Sequence, residues 1–172
     1  MAVYALGAVE PEIHPSAFVH PDAVVIGRVR IGADSTVWPT AVLRGDDGWI
    51  HVGARTSIQD GTVIHTTAVL PTTIGDGCVI GHNAHLEGCV VEDGSLVGSG
   101  STVLHDAVVR TGALVGANAL VPGGMEVPTG AMALGVPARL REGTVTPGQF
   151  DEAVALYVER GRRYRQELRR LE

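Results

Sequence analysis

The sequence predicts an all-β chain wound into a single-stranded parallel β-helix of hexapeptide repeats, about six coils long, with an amphipathic C-terminal α-helix. Three observations predict it. Aliphatic residues recur every six positions along most of the chain. Glycine is abundant, at 23 residues, while aromatic residues make up only 4% of the chain, which suits a narrow, regular β-structure. The final segment changes period, from six to the alternating steps of three and four that mark one face of a helix.

The six-residue step runs through Ile13, Val19, Val25, Ile31, Val37 and Leu43. After a three-residue excess it resumes at Val52, Ile58 and Ile64, and after a four-residue excess at Ile74, Ile80 and Leu86. After a one-residue deficit it continues through Val91, Val97, Val103, Val109, Val115, Val121 and Val127. Glycine often follows the aliphatic residue, as at Gly32, Gly53, Gly75, Gly81, Gly98 and Gly116. A small residue often stands two positions before it, as at Ala23, Ser35, Ala41, Thr56, Thr62, Ser95 and Ser101. One inward aliphatic and one turn per six residues give a three-sided coil of 18 residues. Coils stacked at the interstrand spacing of about 4.8 Å make a prism roughly 30 Å long.

Residues 1–145 are assigned to this prism, with an irregular cap or short strand over residues 1–10. Residues 146–172 are assigned to the helix, packed along the prism so that the whole is one domain. Thr146 and Pro147 read as its N-cap and first-turn proline. Phe150, Val154, Tyr157, Gly161, Tyr164, Leu168 and Leu171 form its apolar stripe. Packing is the expected role of Tyr164.

Charge and composition exclude several functions. A net charge of −6 is the wrong sign for a nucleic-acid surface. The basic run of residues 160–170 is diluted by glutamates and reads as a solvated helix face. No stretch approaches the length of a membrane span, and no secretory signal pattern opens the chain. With Cys78 and Cys89 as the only cysteines and no CxxC motif, a reducing, cytoplasmic setting is expected.

The repeat also sorts the polar residues. Let Val52 lie on side a, Ile58 on side b and Ile64 on side c, with the excess residues at corners. Residues one position after an inward aliphatic point outward. Arg44, His65 and Glu87 then form one outward column on side c, one coil apart. Asp60 and His82 form another at the corner after side b, with Gln59 beside Asp60. His65 and Glu87 are close enough to share a cation. His85, also outward on side c, flanks Glu87. His82 turns away; a closed three-fold assembly would bring it to a neighbouring chain's His65 and Glu87. His14, His20, His51 and His105 read as surface histidines.

The stretches RGDDGWIHVGARTSIQDGTVIH (44–65), GHNAHLEGC (81–89) and VPTGAMALGVPARL (127–140) make the chain resemble the γ-class carbonic anhydrases, over about residues 10–170. The resemblance implies a left-handed hexapeptide β-helix, a homotrimer, and one divalent cation per subunit interface: zinc, with iron or cobalt as substitutes. It implies reversible hydration of carbon dioxide to bicarbonate. By position, His65 and His82 match two of the family's three metal histidines. The third falls on Glu87, a departure; a His-His-Glu set is still a workable catalytic donor set, with His85 as the other candidate. The resemblance makes Gln59 the amide that orients the attacking water and Asp60 a support of the neighbouring site. It makes Arg44 and Asp46 an ion pair bridging subunits, and Asp47 an acid near the site. The loop 66–73, TTAVLPTT, lacks the proton-carrying glutamate that some family enzymes have there. Two other readings stay open on the same scaffold: a non-catalytic metal-binding or assembly relative, and a hexapeptide acyltransferase using a histidine base such as His65 or His85.

Overall fold

The computed structural model describes residues 2–171; Met1 and Glu172 lie outside them. The chain is a parallel β-helix followed by one α-helix. Side a carries the register Ile13, Ile31, Val52, Ile74, Val91, Val109 and Val127, each paired in parallel with the next. Side b runs from Val19 through Val37, Ile58, Ile80, Val97 and Val115 to Ala133. Side c runs from Val25 through Leu43, Ile64, Leu86 and Val103 to Val121. The sides are those expected from the repeat. All of the periodic aliphatics are buried except Ile13, which is partly buried at the first coil. Each fully buried aliphatic side chain contributes about 1.5–3 kcal/mol of transfer free energy, so the ladder of inward residues is the core.

The other two features of the repeat have separate physical causes. The small residue before each inward aliphatic sits at a corner too narrow for anything longer, and where it carries a hydroxyl it bonds to the next coil. Ser35, Thr56, Thr62 and Ser101 donate to the carbonyls of Gly53, Gly75, Gly81 and Gly116 at 2.6, 2.7, 2.7 and 2.8 Å. These buried hydroxyls are therefore satisfied. The glycine after the aliphatic allows coils to touch: a Cβ on Gly53 would lie 2.5 Å from the Gly75 carbonyl carbon. The third residue after the aliphatic commonly takes the left-handed conformation, as at Asp34, Asn83, Gly100, Asp106 and Asn118, and glycine, asparagine and aspartate tolerate it best.

Hydrogen-bonded partners lie 18 residues apart in regular coils, 21 and 22 where residues are inserted, and 17 after the deficit. The inserted residues sit at the corner between sides c and a. The first insertion is absorbed within the long strand Val42–Val52, which turns that corner. The second is the loop after His65. At the amino end, Ala2–Tyr4 pairs in parallel with Val24, Val25 and Ile26, so the expected cap is a short strand. At the far end, Met132–Leu134 and Arg139–Arg141 form an antiparallel hairpin that ends the parallel ladder on side b.

The α-helix, α1, spans Asp151–Glu167 rather than the expected 146–172. Thr146 is not its N-cap. The Thr146 amide donates to Gln149 Oε1, the Gln149 amide donates to the Thr146 carbonyl, and Gly148 at φ +74° breaks helical continuity. At the other end, Leu168 is extended and Leu171 is outside the helix and exposed. α1 packs on side b, against the strands at 18–19, 36–37 and 57–58. Tyr164 lies edge-on to Trp38 and Phe18, at 5.1 and 5.7 Å between centroids, and Arg162 reaches Asp34 at 3.2 Å. Val158, outside the predicted stripe, is also buried. α1 falls short of the length and apolar character needed to cross a membrane.

Two expected outcomes follow from this packing. Gly161 faces Thr36, and a Cβ there would meet the buried Thr36 Cγ2 at 2.5 Å. Gly161→Ala therefore lowers the melting temperature, although alanine gains about 1 kcal/mol in intrinsic helix propensity; a higher melting temperature would refute the contact. On side a, Arg110 binds Glu92 and Glu126 at 2.7 and 2.8 Å and holds both carboxyls below the ordinary range. A depressed carboxyl stabilises the fold fully above its unfolded pKa of about 4.3 and loses that contribution as pH falls through the folded value. Arg110→Gln is thus expected to flatten the acid limb of melting temperature against pH below about 4.3. An unchanged slope would show the ion pairs to be without effect.

Candidate functional site

The outward column of side c is set by backbone pairing: Arg44 stands opposite His65, and His65 opposite Glu87. Thr72 fixes the corner beside them. Its hydroxyl donates to the His65 carbonyl and accepts the Gly88 amide at 2.8 Å, so one side chain ties two coils together. The loop between is closed on itself: Thr66 Oγ1 donates to the Leu70 carbonyl at 2.7 Å, and the Leu70 amide to Thr67 Oγ1 at 3.0 Å. Val69 at its tip is 83% exposed.

His65 Nδ1 lies 2.9 Å from Glu87 Oε1, and His65 Nε2 lies 3.0 Å from Asp46 Oδ1. Asp46 comes from the insertion in the strand Val42–Val52 and also binds the Arg44 guanidinium. Glu87 has two further imidazoles around it. His85 Nε2 lies 3.4 Å from Oε2, and His105 Nε2 lies 3.6 Å from Oε1. Partial burial of Glu87 raises its carboxyl pKa, but the His65 contact, with His85 and His105, outweighs this and holds it below the ordinary range. Asp46 is likewise raised by desolvation and lowered by more, through His65, its own backbone and Arg44. Both carboxylates are therefore ionised near neutral pH. Cys78 and Cys89 are buried and free, with burial pushing each thiol up to about 12, so neither offers a thiolate.

The structure thus gathers Arg44, Asp46, His65 and Glu87 at one place. His85 joins them, and so does His105, which is not the isolated surface histidine that the sequence predicts. His105 stacks below Gly88, and a Cβ on Gly88 would meet His105 Cδ2 at 2.9 Å. The signal was in the repeat: His105 lies 17 residues after Gly88, in the coil shortened by the one-residue deficit. Asp47 is exposed, and its contact with these groups is through its backbone amide, which donates to Asp46 Oδ1 at 3.2 Å. His82 stands apart at the corner between sides b and c, where its Nδ1 is 2.9 Å from Asp60 Oδ2, both side chains about half exposed. Gln59 is buried on side b, 4% exposed. Among the described residues of one chain, no three His, Cys, Asp or Glu side chains form a metal-holding group.

The donor chemistry at His65 and Glu87 fits a divalent cation. An imidazole nitrogen and a carboxylate oxygen are both ordinary zinc donors, and here they are neighbours, hydrogen-bonded at 2.9 Å. The remaining contacts of Glu87 are the imidazoles of His85 and His105, while that of His65 is the Asp46 carboxylate.

Comparison with known proteins agrees with the repeat. Residues 71–105 match the family model described as bacterial transferase hexapeptide (six repeats). Over 100 residues, 55% of this chain, the sequence is 47% identical to gamma carbonic anhydrase 2, mitochondrial, of Arabidopsis thaliana. Over 104 residues, 60% of this chain, it is 44% identical to carnitine operon protein CaiE of Escherichia coli. The matches span only 36% and 53% of those two relatives' own lengths. Among solved structures, a hexapeptide transferase family protein from Anaplasma phagocytophilum superposes with a TM-score of 0.90 at 33% identity, over 95% of this chain and 98% of that one. A Bacillus cereus protein provisionally described as an acetyltransferase superposes with a TM-score of 0.93 at 30% identity, over 96% and 98%. With coils, corners and relatives in agreement along nearly its whole length, the chain belongs to the hexapeptide-repeat family.

Proposed function

We propose that the protein is a metal-dependent hydratase of carbon dioxide, of the γ-carbonic-anhydrase type, acting as a homotrimer in the cytoplasm. The observation that carries this reading is the pairing of His65 with Glu87 at 2.9 Å, while His82 faces outward at a different corner of the same prism. Two donors on one corner and a third on another suit a site completed between neighbouring chains. His65 and Glu87 of one chain and His82 of the next would hold zinc, or iron or cobalt. Such a cation lowers the pKa of water from 15.7 towards about 7. Asp60 fixes the His82 ring by accepting at Nδ1, leaving Nε2 free to coordinate. Gln59 orients the attacking water by its amide. Arg44 and Asp46 fix the shape of the insertion beside the site. The acid-free loop 66–73 gives no carboxylate for exporting the proton, so the rate is expected to rise with buffer concentration.

A second reading, acyl transfer, is favoured by the full-length likeness to structures described as transferases. Its inserted loops are short, however, and leave little wall for an acceptor.

Metal content per chain, measured on aerobic and anaerobic preparations, decides first. The expected result is close to one zinc or iron per chain, with His65→Ala and His82→Ala each removing most of it, and carbon dioxide hydration lost in step. No bound metal together with acetyl-coenzyme A turnover would replace this reading with the second. The carboxylate at position 87 also has a measurable consequence. As a ligand it would add negative charge at the cation and so weaken its pull on water. Glu87→His is expected to move the pH–rate profile for hydration to lower pH, by about one unit on the scale of such environmental shifts. An unmoved profile would show that residue 87 is not a ligand.

A further inference from the structure

His65 has a carboxylate at each ring nitrogen, and a neutral imidazole carries only one N–H. A cation can therefore reach this ring only by displacing one of the two. The two carboxylates are not equivalent. Asp46 is engaged from several directions: the Asp47 amide donates to Oδ1 at 3.2 Å, the Arg44 guanidinium binds Oδ2, and Arg28 Nη1 donates to the Asp46 carbonyl at 3.0 Å. A guanidinium and a backbone amide are not exchanged for a cation. Glu87 faces only imidazoles, from His65, His85 and His105. Those rings can give up the carboxylate to a cation or join it as donors.

We infer that Asp46 is the positioning residue of the site. It accepts the Nε2–H of His65 and so turns the Nδ1 of that ring, together with Glu87, towards the cation. This rests on the proposed metal-site reading and adds to it the coordinating atom and the residue that selects it. The carboxylate–histidine–metal arrangement generally fixes the tautomer and ring angle, and its loss typically costs 10–100-fold in metal affinity. The Arg44–Asp46 pair then has a role inside one chain. Arg44 holds the acid that holds the histidine.

The test compares wild type, Asp46→Ala, Asp46→Asn and Arg44→Gln by zinc competition titration, light scattering and ring-nitrogen NMR of the metal-free protein. The His65 resonance is identified by its loss in His65→Gln. The expected result is about a 10–100-fold loss of zinc affinity in Asp46→Ala, with assembly mass unchanged. Asp46→Asn, whose amide oxygen still accepts, should lose less. Loaded with cadmium, the wild-type ring should show metal coupling at Nδ1. Coupling at Nε2 would overturn the inference, as would unchanged affinity or an affinity that falls only in step with disassembly. If wild type takes up no zinc, the metal-site reading fails, and the metal-free spectrum decides alone. A His65 tautomer that changes in Asp46→Ala supports the positioning role, and an unchanged one refutes it.

Discussion

The structure depends on one constraint: each inward aliphatic must sit directly above its counterpart in the next coil while the backbones pair in parallel. That register is held from Val52 to Ile74 to Val91 although the three coils differ in length. Extra residues cannot enter a side without turning its side chains over, so they leave at the corner between sides c and a. The site is a by-product of that geometry. Asp46 and the loop after His65 are the residues the ladder could not absorb, and they lie beside the column that the ladder aligns. Arg44, His65 and Glu87 are neighbours because Leu43, Ile64 and Leu86 are.

Much of this was legible in the sequence, for a physical reason. A six-residue period with β-branched residues at one phase leaves no other way to bury them, so the sides and the outward column could be assigned by counting. What counting could not supply was the reach of side chains at irregular corners. Asp46 lies inside an insertion and His105 follows a deficit, so their approach to His65 and Glu87 depends on backbone paths that no period describes. The start of α1 was hidden for a different reason. Thr146 and Pro147 have the residue types of a helix start, but the following Gly148 takes a positive φ, and the threonine is used in a turn instead.

Glu87 separates this chain from the pattern it otherwise resembles. A histidine at that position would bring a neutral donor; Glu87 brings a charge, and the structure surrounds that charge with three imidazoles. The exchange changes the electrostatics of the whole corner. Asp46 and Glu87 place two negative charges around His65, with the Arg44 guanidinium on the Asp46 carboxylate and Arg28 on its carbonyl. On the proposed metal-site reading, such a corner would attract a divalent cation more strongly than a neutral set would, while leaving that cation less able to acidify water. On that reading, tighter holding and weaker activation would come from the same substitution.

α1 changes the thermodynamic character of the prism. Stacked coils couple only to their neighbours, so a bare solenoid can fray from either end, one coil at a time. Here the chain leaves the last coil through Thr144 and Val145, whose amides donate to the Gly130 carbonyl. It then runs back along side b until Tyr164 meets Phe18 and Trp38 near the first coil. One continuous segment therefore touches both ends of the stack, and opening an end coil also strips the helix from its bed. The result is a linear array that behaves as a closed loop: local opening becomes costly at the ends, where it would otherwise be cheapest.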